Sequence, residues 1–325
     1  MSDLYPGLEL GKATRDAYGE ALVALGREHD DIVVLDADLA KSTKSFGFAR
    51  EFPARFMNVG IQEANMVGMA GGLASAGKVP FISSFACFVI DKGFDQLRMA
   101  VAYPKLNVKV CGSHAGISVG EDGASQQAVE DLALACALPG FVVCCPSDEF
   151  QMRAAVRAAY AHRGPVYLRS GRPRVPLIYP GELSDFEFGK AYTVRQGEDA
   201  TVIAAGLLVG AAVVAHERLA REGIRIRVLD MPTIKPLDEA AVAAAAAETG
   251  AIVTAEEHLL RGGLGAAVAQ AAARHHAVPM EFVGLDDTYA ESGDPEALLR
   301  KYGLTADDIV AAVRRVLERR GAVRA

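Results

Sequence analysis

The sequence predicts an α/β fold of two parallel-sheet domains, and three observations carry that prediction. Short β-branched runs alternate with longer Ala-rich segments of helical period almost throughout the 325 residues, the pattern of parallel strands joined by crossover helices. The alternation breaks once, in RPRVPLIYPGELSDFEFGKA at 172–191, where three prolines and no periodicity read as a linker. The length suits two domains at about 100 to 200 residues each. We therefore expect a first domain over 1–175, a linker over 176–195 and a second domain over 196–325.

In the first domain, strands are expected at DIVVLDADL (31–39), around VPFISSF (79–85), at NVKVCGSH (107–114), FVVCCP (141–146) and PVYLRSG (165–171). These are apolar runs too short for helices, and turn residues bound them. Helices fill the gaps at ATRDAYGEALVALGREH (13–29), DKGFDQLRMAVAY (91–103), SQQAVEDLALACAL (125–138) and DEFQMRAAVRAAYAH (148–162). A further helix is expected from near Gly60. Its Ala64, Gly68, Gly72 and Ala76 recur every fourth residue, and Met66, Val67, Met69, Ala70 and Leu73 cover the other sides. A helix apolar nearly all round is a buried one. In the second domain, strands are expected at DATVIAAG, IRIRVLDMP, GAIVTAEEH and MEFVGL. The helices between them are VGAAVVAHERLAREG, LDEAAVAAAAAET, GLGAAVAQAAARHH and TADDIVAAVRRVLERR.

A hydrophobic content of 51% is ample for two cores. The net charge of -7, with no basic cluster, argues against nucleic acid or an anionic membrane as partner. No basic segment leads into an apolar one at the start, and no apolar run approaches the roughly 18 residues of a membrane span. A cytoplasmic protein is expected. The five cysteines show no metal-ligand spacing and are expected to be reduced thiols, with Cys144 and Cys145 on opposite faces of one strand.

Ligands of an open parallel sheet bind beyond the carboxyl ends of its strands. The chemically informative residues fall there: Asp36, Asp38, Lys41 and Ser42 after the first strand, Phe85 and Phe88 after the second, His114, Glu121 and Asp122 after the third, Arg169 and Arg172 after the last. Glu63 is the single charge among residues 58–77. Either it caps its own helix, or it is a buried carboxyl that escapes its desolvation cost by keeping its proton. HAGISVGEDG lacks the Lys-Ser/Thr of a phosphate loop and is not G-x-G-x-x-G.

The order of ATR (13–15), DADLAKS (36–42), GIQEAN (60–65), SSFACF (83–88), GSHAGISVGEDGASQQ (112–127) and LRSGR (168–172), then VLDMPTIKPLD, TAEEHLLRGGLG and YAESGDPEALLRKYGL, resembles the carboxyl-terminal half of transketolase. The resemblance implies a pyrimidine-binding domain for thiamine diphosphate followed by the family's C-terminal domain. It implies that Glu63 hydrogen-bonds a ring nitrogen of the cofactor's aminopyrimidine, for which a protonated carboxyl is the right donor. It implies that Phe85 and Phe88 stack on that ring and that Asp38 lies near the cofactor. Arg15, Ser42 and Arg172 match the family's grip on a sugar phosphate, and His114 and Asp122 match residues that read the sugar.

Three departures bear on specificity. Gln126 stands where the family commonly has a second histidine, Asp91 where a tyrosine is frequent, and Gln62 and Ala64 flank Glu63. The GDG motif and downstream Asn that hold Mg2+ in the family are missing from this chain. The resemblance thus implies a split transketolase transferring a two-carbon ketol unit, with Mg2+ ligands on a separate N-terminal subunit, self-association through the same domains and a heterotetramer. Two other readings stand beside it: the β subunit of a 2-oxo acid dehydrogenase, which shares the glutamate and the TIKPLD and EEH segments, and a non-catalytic binding or scaffold protein of the same fold. Deoxyxylulose phosphate synthase is less suited, because it carries its diphosphate domain in the same chain.

Overall fold

The computed structural model describes residues 1–324. Its first sheet has seven strands in the order Thr233–Lys235, Val142–Cys144, Val166–Arg169, Lys109–Ser113, Val79–Phe85, Ile32–Asp36 and Phe56–Asn58. Every neighbour pair is parallel except the first. The central strands are buried along their whole length, which is why they read as unbroken apolar runs. One face is covered by Thr14–Glu28 and Glu149–Ala161, through Ala17, Tyr18, Leu22, Met152 and Ala155. The other face takes Glu63–Ser75 and the wide helical turns around Phe88–Ala102, through Met66, Val67, Ala70, Val89 and Val101. Cys144 packs in the first of these cores and Cys145 in the second, and all five cysteines are free thiols.

The second sheet runs Met280–Leu285, Ile252–Leu259, Ala200–Ala204, Ile226–Asp230 and Tyr192–Arg195, the last antiparallel. Helices Leu208–Arg221 and Ala306–Arg324 cover one face and Glu239–Thr249 and Leu264–His275 the other. The two sheets do not have separate interiors. One apolar cluster extends from Leu35 and Met66 through Cys145 to Ile203, Val242 and Val268.

Four local expectations are corrected. Thr233–Lys235, which follows the second-domain strand Ile226–Asp230, returns to the first sheet, where Thr233 and Lys235 pair with Cys144 and Val143. Lys235 then ties itself down by donating to the carbonyls of Cys136 and Leu138 at 2.9 and 2.6 Å. The helix expected at 125–138 is confined to Asp131–Ala137, because residues 123–130 are drawn into a loop against the second domain. The segment expected as linker over 176–195 contains a strand, Tyr192–Arg195, and at its start Arg174–Pro176 pairs antiparallel with Leu10–Ala13. Finally, the helix expected from Gly60 starts at Glu63, and it is not buried all round. Met66, Val67, Ala70 and Gly71 face the core, whereas Gly68, Gly72 and Ala76 are exposed.

Candidate active site

Glu63 opens its helix and is only 2% exposed. The Ser84 hydroxyl, at the end of the neighbouring strand, donates to its Oε1 at 3.1 Å. Lys92 Nζ lies 3.5 Å from its Oε2, so the carboxyl is buried as expected yet has a cationic partner that the sequence did not suggest. The same ammonium sits 4.2 Å from the centre of the Phe88 ring, a cation–π contact. Both residues belong to one wide π-type turn, Phe88–Lys92, a departure from regular helix that is frequent at functional sites. Phe88 in turn stacks on Phe85 at 5.5 Å and 16°.

Phe85 stacks on the other side against His114, with centroids 3.8 Å apart. His114 is 2% exposed and adopts a left-handed φ of 55°, strain that a packed ring and two polar contacts hold in place. Its Nε2 is 2.9 Å from Arg15 Nη1 and its Nδ1 is 2.8 Å from Ser113 Oγ. A guanidinium only donates, so Nε2 accepts and the ring proton is assigned to Nδ1, donating to Ser113. Burial first, and the Arg15 and Arg172 charges after it, push the imidazole down to about 3. His114 is thus a neutral hydrogen-bonding group at any ordinary pH.

Arg15 also donates to the Ser42 carbonyl at 3.2 Å, while its Nε is buried without a partner. Arg172 donates to Glu121 Oε2 at 2.9 Å and to the Val119 carbonyl, and its Nη1 is 3.9 Å from Asp122 Oδ1. Glu63, Lys92, Phe88, Phe85, His114, Arg15 and Ser42 therefore form one connected strip along the carboxyl edge of the sheet, with Asp122 and Arg172 at its flank. Asp38 is not part of it. That residue is exposed, with φ of 67°, and accepts from Asn58 Nδ2 at 2.9 Å.

Beneath Asp38 lies a residue whose role the sequence reading did not single out. Asp36 is buried and accepts from the Leu39 amide and the Thr43 and Ser45 hydroxyls at 2.6 to 2.9 Å, folding the loop that presents Ser42. The D-x-x-L and T-x-S spacing in DADLAKSTKS is the signal that could have found it. Lys92 follows Phe88 by four residues, the spacing that brings side chains together on a helix, and this too was readable. Of the departing residues, Asp91 is exposed on the Phe88–Lys92 turn and Gln126 is half-buried, accepting from Ser125 Oγ. Among the described residues no three His, Cys, Asp or Glu side chains converge to hold a metal ion, and no helix is long and apolar enough to cross a membrane.

Residues 11–176 match the transketolase pyrimidine-binding domain, and residues 189–309 match the transketolase C-terminal domain. The chain is 42% identical to the 6-deoxy-6-sulfo-D-fructose transketolase subunit SqwH of Clostridium sp. (strain MSTE9), over 94% of this chain and 95% of that protein. It is also 42% identical to human transketolase over 93% of its own length, but spans only 48% of that longer protein. A solved split-gene transketolase, described as an inactive β4 tetramer, superposes with a TM-score of 0.89 at 48% identity, covering 95% of this chain and 99% of that one.

Proposed function

The chain belongs to the transketolase family, and we propose that it is the carboxyl-terminal subunit of a split transketolase, active only with a second polypeptide that carries the diphosphate-binding domain. Transketolases depend on thiamine diphosphate, and the observation that supports its use here is the pairing of buried Glu63 with the aromatic wall of Phe85 and Phe88. A hydrophobic wall flanked by one sequestered carboxyl suits a flat heteroaromatic ring with a hydrogen-bonding edge, and the half-exposed Lys92 can withdraw to water to admit it. The Mg2+ ligands are assigned to the partner chain.

When bound, thiamine diphosphate supplies the carbanion chemistry of ketol transfer. This chain's residues do the rest. Glu63 presents its carboxyl to the ring edge, Phe85 and Phe88 fix the ring plane, and Asp38, exposed outside the strip, is given a place near the cofactor by the family match alone. Arg15, with an unused buried Nε–H, joins Arg172 and Ser42 in gripping a phosphorylated sugar. Neutral His114 and acceptor Asp122 orient its hydroxyls. Two-carbon transfer from a ketose phosphate to an aldose follows from that set, and the same set disfavours 2-oxo acid decarboxylation by a dehydrogenase β subunit, which has no phosphate to bind.

The assembly proposed is a heterotetramer in which two copies of this chain also meet each other. The exposed Gly68–Gly72 face of the Glu63 helix supports such a contact, since it allows another backbone to approach. Replacing Glu63 with Ala should reduce C2 proton exchange of the bound cofactor to the rate of the free cofactor. Near-normal exchange would remove Glu63 from this role.

A further inference from the structure

The residues proposed to read the sugar lie on the loop His114–Gly123 of the first domain, which Arg172 and Gln127 of that domain hold in part and which the second domain holds from the other side. Glu257, in the EEH segment at the end of strand Ile252–Leu259, is 4% exposed. Its Oε1 accepts the Ser118 amide at 2.6 Å. Its carboxyl fills the space left by Gly116, whose φ is +81° and whose Cβ, if present, would lie 2.2 Å from the Glu257 carboxyl carbon. Glu257 is held in turn: Arg169 donates to its carbonyl at 2.9 Å while forming a forked pair with buried Asp131. Ile117, the residue between Gly116 and Ser118, is buried in the second domain's core. Farther along, Gly120 abuts Pro295, and Gln127 ties the carbonyls of Ile117 and Gly120 to that of Glu291.

We propose that Glu257 is a positioning residue for the sugar site, and that the second domain serves the reaction by clamping the loop that carries His114 and Asp122. The inference rests on the sugar-binding role given to those two residues above. Glu257 touches neither cofactor nor sugar. It acts through the Ser118 amide, with its carboxyl packed where a Cβ at Gly116 would stand. Reach, rather than charge, is what the loop requires.

Two conservative variants separate these. In E257Q the amide oxygen still reaches Ser118, whereas E257D keeps the charge but withdraws it by one methylene. With the full chain and its diphosphate-binding partner, E257D should raise KM for a phosphorylated ketose by about tenfold, as small displacements of positioning groups do. Its thiamine diphosphate affinity should change less than twofold, and E257Q should stay near wild type. Hydrogen exchange of the peptide 114–123 in the chain alone supplies a readout independent of activity. That peptide should be protected in the wild type and E257Q, and should exchange faster in E257D with protection elsewhere unchanged. Equal KM and exchange in all three proteins would overturn the inference, as would a loss of cofactor affinity parallel to the rise in KM. R15A distinguishes the two levels. If R15A raises KM and E257D does not, the clamp is wrong; if R15A itself leaves KM unmoved, the sugar-site reading fails.

Discussion

Glu63 and its surroundings show what a single residue's context reveals and conceals. Its isolation among small and apolar neighbours was legible, because the only charge in twenty residues stands out in any reading. Its partner Lys92 lies twenty-nine positions away across the sheet edge, and no local pattern joins the two. Replacing Arg15 or Arg172 with Ala should raise KM for a phosphorylated ketose about 10- to 100-fold, as loss of a charge-assisted hydrogen bond of about 1.5–3 kcal/mol requires. KM for the unphosphorylated ketose should stay within a few-fold, and steady-state kinetics on the matched pair decides. His114 makes a pH-dependent contribution. Its folded value is depressed to about 3 from 6.5, so below pH 6.5 the unfolded chain binds the proton that the folded chain refuses. Wild-type stability should therefore fall relative to H114N as pH drops from about 6.5, with a slope of up to about 1.4 kcal/mol per pH unit. Urea unfolding of both proteins at pH 7, 6 and 5 measures it, and parallel curves would contradict the burial of a neutral ring.

At the level of elements, the strands of the first sheet could be read because complete burial leaves apolar runs with few polar interruptions. Helix ends were less legible. The segment 125–138 has helical composition along its whole length, but the carbonyls of Ala128 and Val129 accept from the amides of Gly116 and Leu259, and the tertiary contacts win over propensity. The Glu63 helix carries the opposite lesson. Period alone could not tell a core-facing small stripe from a partner-facing one, and Gly68 and Gly72 have nothing within 4 Å of where a Cβ would stand. Leucine at both positions should thus leave the folded chain with an unchanged melting temperature while reducing its self-association. Light scattering of the variant and the wild type reads this directly. Unchanged association would place the contact elsewhere.

For the whole molecule, the two-domain plan was visible in the chain's texture, but the way the domains join was not. Thr233–Lys235 crosses back to the first sheet, and the EEH segment reaches the loop of the first domain. Such long-range returns leave no periodic trace in sequence. The buried pair of Arg169 and Asp131 lies at this junction, beside the Glu257 carbonyl. Removing one member of a buried pair strands the other, so R169M should cost about 3–5 kcal/mol. Calorimetry should record one transition that shifts as a unit, not a first domain melting alone.

A joined pair of domains whose sheet edge carries Glu63, Phe85, Phe88, His114 and Arg15 side by side is the picture on which the proposed function depends. Its direct test is ketol transfer between sugar phosphates, in the presence of thiamine diphosphate and Mg2+, by this chain with and without a purified diphosphate-binding subunit. Transfer should appear only in the mixture and should saturate at one subunit of each kind. Transfer by this chain alone, or none in a mixture that forms a stable complex and binds the cofactor, would contradict the account.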